Sequence, residues 1–129
     1  MLQKIKTALI SVSDKSNLLP VLKVLKKNNI KIISSGGTYK AIQKLGYSTT
    51  EISIYTGSNE MLDGRVKTLH PKIHAGILYD RANKKHKLEM KKKNFSSIDL
   101  IIVNFYPFQK VVTSTSSAKN IIENIDIGG

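Results

Sequence analysis

The stretch "TALISVSDKSNLLPVLKVLKKNNIKIISSGGTYKAIQKLG", residues 7–46, decides the fold because apolar, β-capable runs alternate in it with helical segments. The runs at 7–13 and 30–34 are short and apolar, which is typical of buried strands. The segments at 14–29 and 39–46 are predicted to be the helices that follow them. This alternation predicts parallel β-α-β units and an α/β fold, a three-layer α/β/α sandwich with a mainly parallel sheet.

The first helix is the clearest element, because three leucines share one face and lysines occupy the other. Asp14 or Ser16 is the expected N-cap of this helix. Gly46 is expected to close the second helix in a left-handed conformation. Further along the chain, similar signals predict strands at 48–54, 75–80 and 98–108, a helix at 117–125, and a polar surface helix or loop at 83–94.

The composition limits the classes of protein and partner. The length of 129 residues suits one domain, and 40% hydrophobic residues can form a core. The chain has no cysteine, which rules out disulfides and thiolate metal sites and fits a reducing, cytoplasmic location. The net charge is +12, but 19 of the 21 basic residues are lysines and only two are arginines. That excess favours solvated lysine faces, so we do not expect a nucleic-acid partner. No stretch approaches the roughly 18 apolar residues of a membrane span, so no membrane partner is expected either.

Two loops after the first two strands suit an anion. "SSGGT" joins a strand to a helix, so its glycines and the helix N-terminus can approach a phosphate, with hydroxyls from Ser35 and Thr38. "SVSDK" occupies the equivalent place after the first strand, where Lys15 supplies a charge. A plain tight turn at "SSGGT" remains the alternative. The dinucleotide and P-loop glycine patterns are absent, which disfavours NAD and ATP.

A cationic stretch, "GRVKTLHPKIHAG" at 64–76, is broken by glycines and a proline. Arg65 can fork onto a phosphate or carbonyl oxygen, and Lys67 can place a charge beside developing negative charge. His70 and His74 are four residues apart, but a proline lies between them and no H-E-x-x-H pattern exists, so no metal site is expected. We expect His70 to orient the loop through a hydrogen bond, and His74 to be a core histidine.

Two short segments near the end of the chain carry further polar groups. In "VNFYPF", Asn104 can read a planar heterocycle and Tyr106 can donate a hydrogen bond to an oxyanion. Packing alone is the alternative for the aromatic residues there. In "DIGG", Asp126 is either a general base or an N-cap, and Gly128 and Gly129 can offer backbone N–H donors.

The segments "ALISVSDKSNL", "ISSGGTYKAI", "EMLDGRVKTLHPKIHAGIL", "VNFYPF" and "IDIGG" span nearly the whole chain. In this order they resemble the IMP cyclohydrolase domain of the bifunctional AICAR transformylase/IMP cyclohydrolase family. The resemblance implies a methylglyoxal-synthase-like fold and ring closure of the formylated aminoimidazole carboxamide nucleotide (FAICAR) to IMP with loss of water. It implies no metal or organic cofactor for that step, a small-molecule nucleotide substrate, and a homodimer.

The resemblance also implies roles for individual residues. The nucleotide 5′-phosphate would lie against Ser13, Lys15, Ser35, Gly37 and Thr38. The base and ribose would meet Arg65, Lys67, Thr68, Asn104 and Tyr106, together with the backbone of Ile127, Gly128 and Gly129. Asp126 would help to deprotonate the attacking carboxamide nitrogen, while Lys67 and Tyr106 would stabilise the oxygen that gathers charge.

Members of this family continue past "DIGG" through a helix with a further catalytic lysine into a transformylase domain that uses 10-formyltetrahydrofolate. Residues 1–129 are therefore expected to be one cyclohydrolase domain, truncated at its C-terminal end and lacking the transformylase domain. Two other functions remain open. One is a non-catalytic nucleotide-binding regulatory domain of the same fold. The other is methylglyoxal synthase, for which Asp14 is the only carboxylate close to the glycine-rich loop.

Overall fold

The computed structural model describes residues 2–105, 107–114 and 117–126. Its strands form one sheet in the order β3-β2-β1-β4, and every pairing is parallel. The strands are β1 (Thr7–Ser11), β2 (Lys31–Ser34), β3 (Thr50–Glu51) and β4 (Leu100–Val103). The parallel sheet and its flanking helices confirm the predicted α/β fold.

Helices cover both faces of the sheet. They are α1 (Leu18–Lys27), α2 (Gly36–Lys44), α3 (Ile52–Thr56), α4 (Pro71–Leu78), α5 (Lys84–Lys92), α6 (Phe108–Ser114) and α7 (Ala118–Glu123). Because side chains alternate along a strand, Ile10 of β1 packs with α1 and α2, while its neighbour Leu9 packs with α3 and α4. These two apolar clusters, one on each side of the sheet, give the three layers.

The parallel register brings the loops after the strands to one edge. β1 lies between its two neighbours, with Ile10 opposite Ser34 of β2 and Ile102 of β4. The loops that follow β1, β2 and β4 therefore start at nearly the same height. Sites in open parallel sheets form at this carboxyl edge.

Three predicted strands differ from the structure. The segment 48–54 forms only the two-residue β3 before α3 begins, and the strand at 98–108 shortens to β4. The segment 75–80 was predicted wrongly as a strand, because most of it belongs to helix α4. Pro71 at the first turn and His70 at the N-cap start that helix, and a short apolar run such as "AGIL" has no period that separates strand from helix.

Helix boundaries also differ from the predictions. Asn17, rather than Asp14 or Ser16, is the N-cap of α1, and the Asp14 carboxylate accepts a hydrogen bond from the N–H of Ser16, just before the cap. Helix α2 begins at Gly36, three residues before its predicted start, and α6 was not predicted. Gly46 does adopt a positive φ of 83°, as expected for a left-handed cap.

Helix α4 packs backbone to backbone against the segment that leads into β4. The Ile98 N–H donates to the Gly76 carbonyl over 2.9 Å. A β-carbon placed on Gly76 would lie 2.8 Å from the Ser96 carbonyl oxygen. Only glycine permits this approach, which joins α4 to the sheet beside the amino end of β4.

The β4 side of the molecule is thinly packed. No residue of α6 or α7 is buried, and Ile101 and Val103 of β4 remain 42% and 41% exposed. Within the described residues, no helix is long and apolar enough to cross a bilayer.

Candidate functional site

A cavity of about 700 Å³ opens at the carboxyl edge of the sheet. Ten of the fourteen residues to which the resemblance gives a catalytic or substrate-binding role line it: Ser13, Lys15, Ser35, Gly37, Thr38, Arg65, Lys67, Thr68, Asn104 and Asp126. The other four, Tyr106, Ile127, Gly128 and Gly129, lie outside the described residues. Segments far apart in the sequence thus meet around one space, and the chemical roles of their side chains stay predictions.

Buried hydroxyls fasten the loop after β1 to the start of α2. The Thr38 hydroxyl accepts a hydrogen bond from the Val12 N–H over 3.0 Å and donates to the Val12 carbonyl over 3.1 Å. One step away, the hydroxyls of Ser11 and Ser35 lie 2.8 Å apart. Thr38 is only 3% exposed, so its hydroxyl holds the wall of the cavity in place.

Asn104 holds the other side of the same loop. Its Oδ1 accepts from the backbone N–H groups of Ser13 and Asp14 at 2.6 and 3.2 Å, and its Nδ2 donates to the Asp14 carbonyl at 3.1 Å. The Ser13 hydroxyl lies 2.9 Å from both Asn104 Oδ1 and the Phe105 carbonyl oxygen. The amide was expected to read a heterocycle; in the structure it joins the end of β4 to the β1–α1 loop.

Two lysines flank the first turn of α2. Lys15 Nζ donates to the Val12 and Ser13 carbonyls at 3.0 and 3.2 Å, and a β-carbon on Gly37 would lie 3.6 Å from that nitrogen. Lys67 Nζ would lie 3.2 Å from a β-carbon on the preceding residue, Gly36. Across the described ranges, neither lysine forms an ion pair. Two ammonium groups therefore add to the positive end of the helix dipole.

Arg65 connects the cationic stretch to helix α7. Its Nη2 pairs with Glu123 Oε1, and both side chains are substantially exposed, at 50% and 40%. Asp126, just beyond α7, lines the cavity together with Arg65. The pair therefore joins α7 to the cavity rim on the side of the candidate base.

The two histidines differ in their surroundings. His70 caps α4, with its Nδ1 accepting a hydrogen bond from the Lys72 N–H over 3.0 Å, which confirms its expected role in orienting the loop. His74 is only half-buried and lines the cavity, so the expectation of a core histidine is wrong. No group of three or more metal-ligating residues occurs among the residues that the structure describes.

Sequence reasoning missed the apolar wall of the cavity. Helix α4 contributes a face to it, and strands β1 and β4 contribute four side chains, three of them apolar. The missed lining residues are Leu9, Ser11, Val12, Gly64, Ile73, His74, Ile77, Leu78, Ile101 and Val103. The spacing of 73, 74, 77 and 78 is that of one helix face, a signal hidden by the prediction of a strand at 75–80.

Comparison with known proteins places the chain in a family. A family model described as an MGS-like domain matches residues 17–129. The chain is 50% identical over 125 residues to proteins named bifunctional purine biosynthesis protein PurH from Rhodospirillum rubrum and Oceanobacillus iheyensis, covering 97% and 96% of this chain. The protein of the same name from Bradyrhizobium diazoefficiens is 46% identical over 127 residues, which cover 98% of this chain.

The chain spans about a quarter of the length of these relatives, 24% in each case. A solved structure titled "Crystal structure of ForH" superposes with a TM-score of 0.82 at 28% sequence identity, covering 96% of this chain and 62% of that one. The family match, the parallel sheet and the relatives agree with one another. The chain belongs to the MGS-like domain family and is related to PurH, the bifunctional purine biosynthesis protein.

Proposed function

We propose that this cavity binds a purine nucleotide precursor and closes FAICAR to IMP. The observation that carries the proposal is the pair of ammonium groups, Lys15 and Lys67, at the first turn of α2 in a cavity that Asp126 also lines. A cationic end and a carboxylate match a substrate with a phosphate at one end and an acidifiable amide at the other. The kinship with proteins named for purine biosynthesis supports the same substrate class.

The phosphate end needs little rearrangement to accept a dianion. The first backbone N–H groups of a helix lack partners within the helix and point toward a bound anion. Lys15 and Lys67 add two full charges, which match the two negative charges of a nucleotide phosphate. Because Thr38 and Asn104 already fix the neighbouring loop, binding of a ligand costs less conformational entropy of that loop.

Ring closure in the proposed reaction is intramolecular. The carboxamide nitrogen attacks the formyl carbon, a C–N bond forms, and the formyl oxygen gains charge. The attacking nitrogen gives up one proton, and the formamide nitrogen gives up another as the C–O bond breaks and a C=N bond forms. The former formyl oxygen takes up two protons and leaves as water, which completes the closed ring of IMP. Holding the reacting atoms in one conformer supplies much of the rate, since no second molecule must be captured.

We assign the proton transfer to Asp126, whose carboxylate is the candidate base on this cavity wall. Tyr106 is proposed to donate to the charged oxygen. The ammonium of Lys67 lies against Gly36 at the phosphate end. We therefore propose that its charge acts mainly on the phosphate, while its predicted role at the formyl oxygen stays a prediction. The proposed step uses no metal or organic cofactor.

The structure favours this reaction over methylglyoxal synthase chemistry. A carboxylate base beside the glycine-rich loop would be required, and Asp14 was the sequence candidate. Asp14 does not line the cavity, and its carboxylate accepts the Ser16 N–H. That hydrogen bond is the largest cause that lowers the pKa of Asp14, which makes its carboxylate a weaker base.

Incubating the purified protein with FAICAR tests the proposal directly, with IMP measured by chromatography. We expect IMP to form, and we expect Lys67→Ala to lower kcat/KM about a hundredfold, the loss typical of one charged contact in an active site. Calorimetric titration with IMP runs beside the assay. Binding of IMP without any turnover of FAICAR would favour a nucleotide-binding regulatory domain and overturn the enzymatic proposal.

A further inference from the structure

A left-handed turn precedes Lys67. Three successive residues have positive φ: Leu62 and Asp63 at 54° each, and Gly64 at 83°. Leucine and aspartate rarely adopt this region, because the β-carbon crowds the backbone, so the surrounding structure must stabilise the turn. An antiparallel pair of backbone hydrogen bonds between Met61 and Val66 closes the turn, with nitrogen-to-oxygen distances of 3.1 and 3.2 Å.

The side chain of Lys67 lies across this turn. A β-carbon placed on Gly64 would be 2.9 Å from Lys67 Cε and 3.2 Å from Nζ, closer than such carbons normally come. Gly64 is buried although its neighbours Asp63 and Arg65 are exposed, because the lysine stem covers it. The same ammonium reaches Gly36 at the start of α2. The side chain of Lys67 therefore contacts two glycines, Gly64 and Gly36.

We propose that Gly64 is a positioning residue for Lys67: its missing side chain lets the lysine cross the turn and place its ammonium at the phosphate end of the cavity. The inference rests on the proposed function in taking the ligand to be a nucleotide phosphate. A side chain at position 64 meets the end of a flexible lysine rather than backbone, so beyond the strain of the positive φ its main effect is to move the Lys67 charge.

Gly46 offers a matched control for Gly64. Both residues have φ of 83°, but a β-carbon on Gly46 would meet nothing within 4 Å. Gly64→Ala and Gly46→Ala therefore carry the same kind of backbone strain, and only the first displaces Lys67. Thermal unfolding of both proteins checks that their losses of stability are comparable. Gly64→Asn with Gly46→Asn repeats the pair with a residue that tolerates positive φ, should alanine prevent folding.

The experiment is a calorimetric titration of each protein with IMP, and with inosine as a ligand without phosphate. We expect Gly64→Ala to weaken IMP binding about tenfold or more, as for one lost charge-assisted contact, and Gly46→Ala to leave it within about twofold. Inosine affinity should not separate the two variants. Equal effects of both variants on IMP would overturn the inference.

A double-mutant cycle shows whether Gly64 acts through Lys67. If it does, Gly64→Ala combined with Lys67→Ala binds IMP about as weakly as Lys67→Ala alone. Fully additive losses contradict the inference. This test separates failure of the inference from failure of the proposed function. FAICAR turnover together with additive losses of IMP affinity would contradict only the positioning role of Gly64. Coupled losses of IMP affinity without any FAICAR turnover would contradict only the proposed reaction.

Discussion

The two ends of the cavity are built differently. At the phosphate end, Thr38 and Ser35 are 3% and 5% exposed, and their hydroxyls are hydrogen-bonded to the β1 segment. At the β4 end, helices α6 and α7 bury no residue, and Phe105 is 69% exposed. The first end is part of the folded core, and the second rests on thinly packed segments.

Under the proposed function, this difference separates the binding of the substrate from its conversion. The proposed phosphate end is fixed by β1, β2 and α2, so the affinity proposed there should depend on the stability of the central sheet. The candidate base Asp126 lies beyond α7, which Arg65 and Glu123 tie to the rim through an exposed ion pair. Substitutions at the first end should therefore change IMP affinity, and substitutions at the β4 end should change the rate of FAICAR conversion.

The largest effect is expected from Asp126→Asn at the β4 end. Loss of a general base typically slows a reaction by about a hundredfold or more, so kcat for conversion of FAICAR should fall by that factor. IMP affinity, measured by calorimetry, should stay within about threefold because the phosphate end is intact. A variant that retains wild-type turnover would remove Asp126 from the mechanism.

Thr38→Val tests the rigid end. Valine keeps the shape but removes the hydroxyl, which leaves the buried Val12 N–H without its partner. The free energy of unfolding, from urea denaturation, should fall by about 2 kcal/mol, with weaker IMP binding as a consequence. Thr38→Ser keeps the hydroxyl and serves as the control. If the valine and serine variants unfold at the same urea concentration, the hydrogen bonds between Thr38 and Val12 contribute little to stability.

Acid should weaken the sheet away from the cavity, through Asp99. Burial alone would raise the pKa of Asp99, but hydrogen bonds from Lys6, Thr7 and Ser97 and the charge of Arg81 together hold it below its ordinary value of 3.8. A carboxyl with a lowered pKa stabilises the fold above pH 3.8, and that contribution disappears as the pH falls through its folded-state pKa.

The matched variant for this pH effect is Asp99→Asn. It should lower the free energy of unfolding by about 1–2 kcal/mol at pH 7, with a difference from wild type that shrinks below about pH 4. Denaturation curves across pH 3 to 7 make the measurement. A difference that stays constant over that range would exclude Asp99 as the titrating group.

The smallest effect is expected at the exposed pair of Arg65 and Glu123. Ion pairs between solvated side chains are worth little, so Glu123→Gln should change the free energy of unfolding by less than about 0.5 kcal/mol. Urea denaturation at low and high salt checks this. A clearly larger loss would mean that α7 is anchored more firmly than its exposed residues indicate.

Much of the fold could be predicted from residues 7–46, since Leu18, Leu22 and Leu25 mark one helix and the apolar runs beside it mark two strands. The position of Ser13, Lys15, Ser35 and Thr38 after those strands predicted that they lie together, and they line one cavity; their binding of a phosphate stays a prediction. Helix α4 could not be assigned correctly, because an apolar run of four residues fits either a strand or a helix. The contact of Lys67 with Gly64 and Gly36 depends on tertiary approach, which no local pattern encodes.

The close packing of Gly76 against the Ser96 carbonyl has a consequence for mutational scans of this protein. Every substitution there must push two main chains apart, so a scan scored on growth or expression would mark position 76 as intolerant. That intolerance would report architecture and not chemistry. A ranking by sensitivity to mutation alone would therefore give Gly76 and Asp126 similar ranks, although only Asp126 lines the cavity.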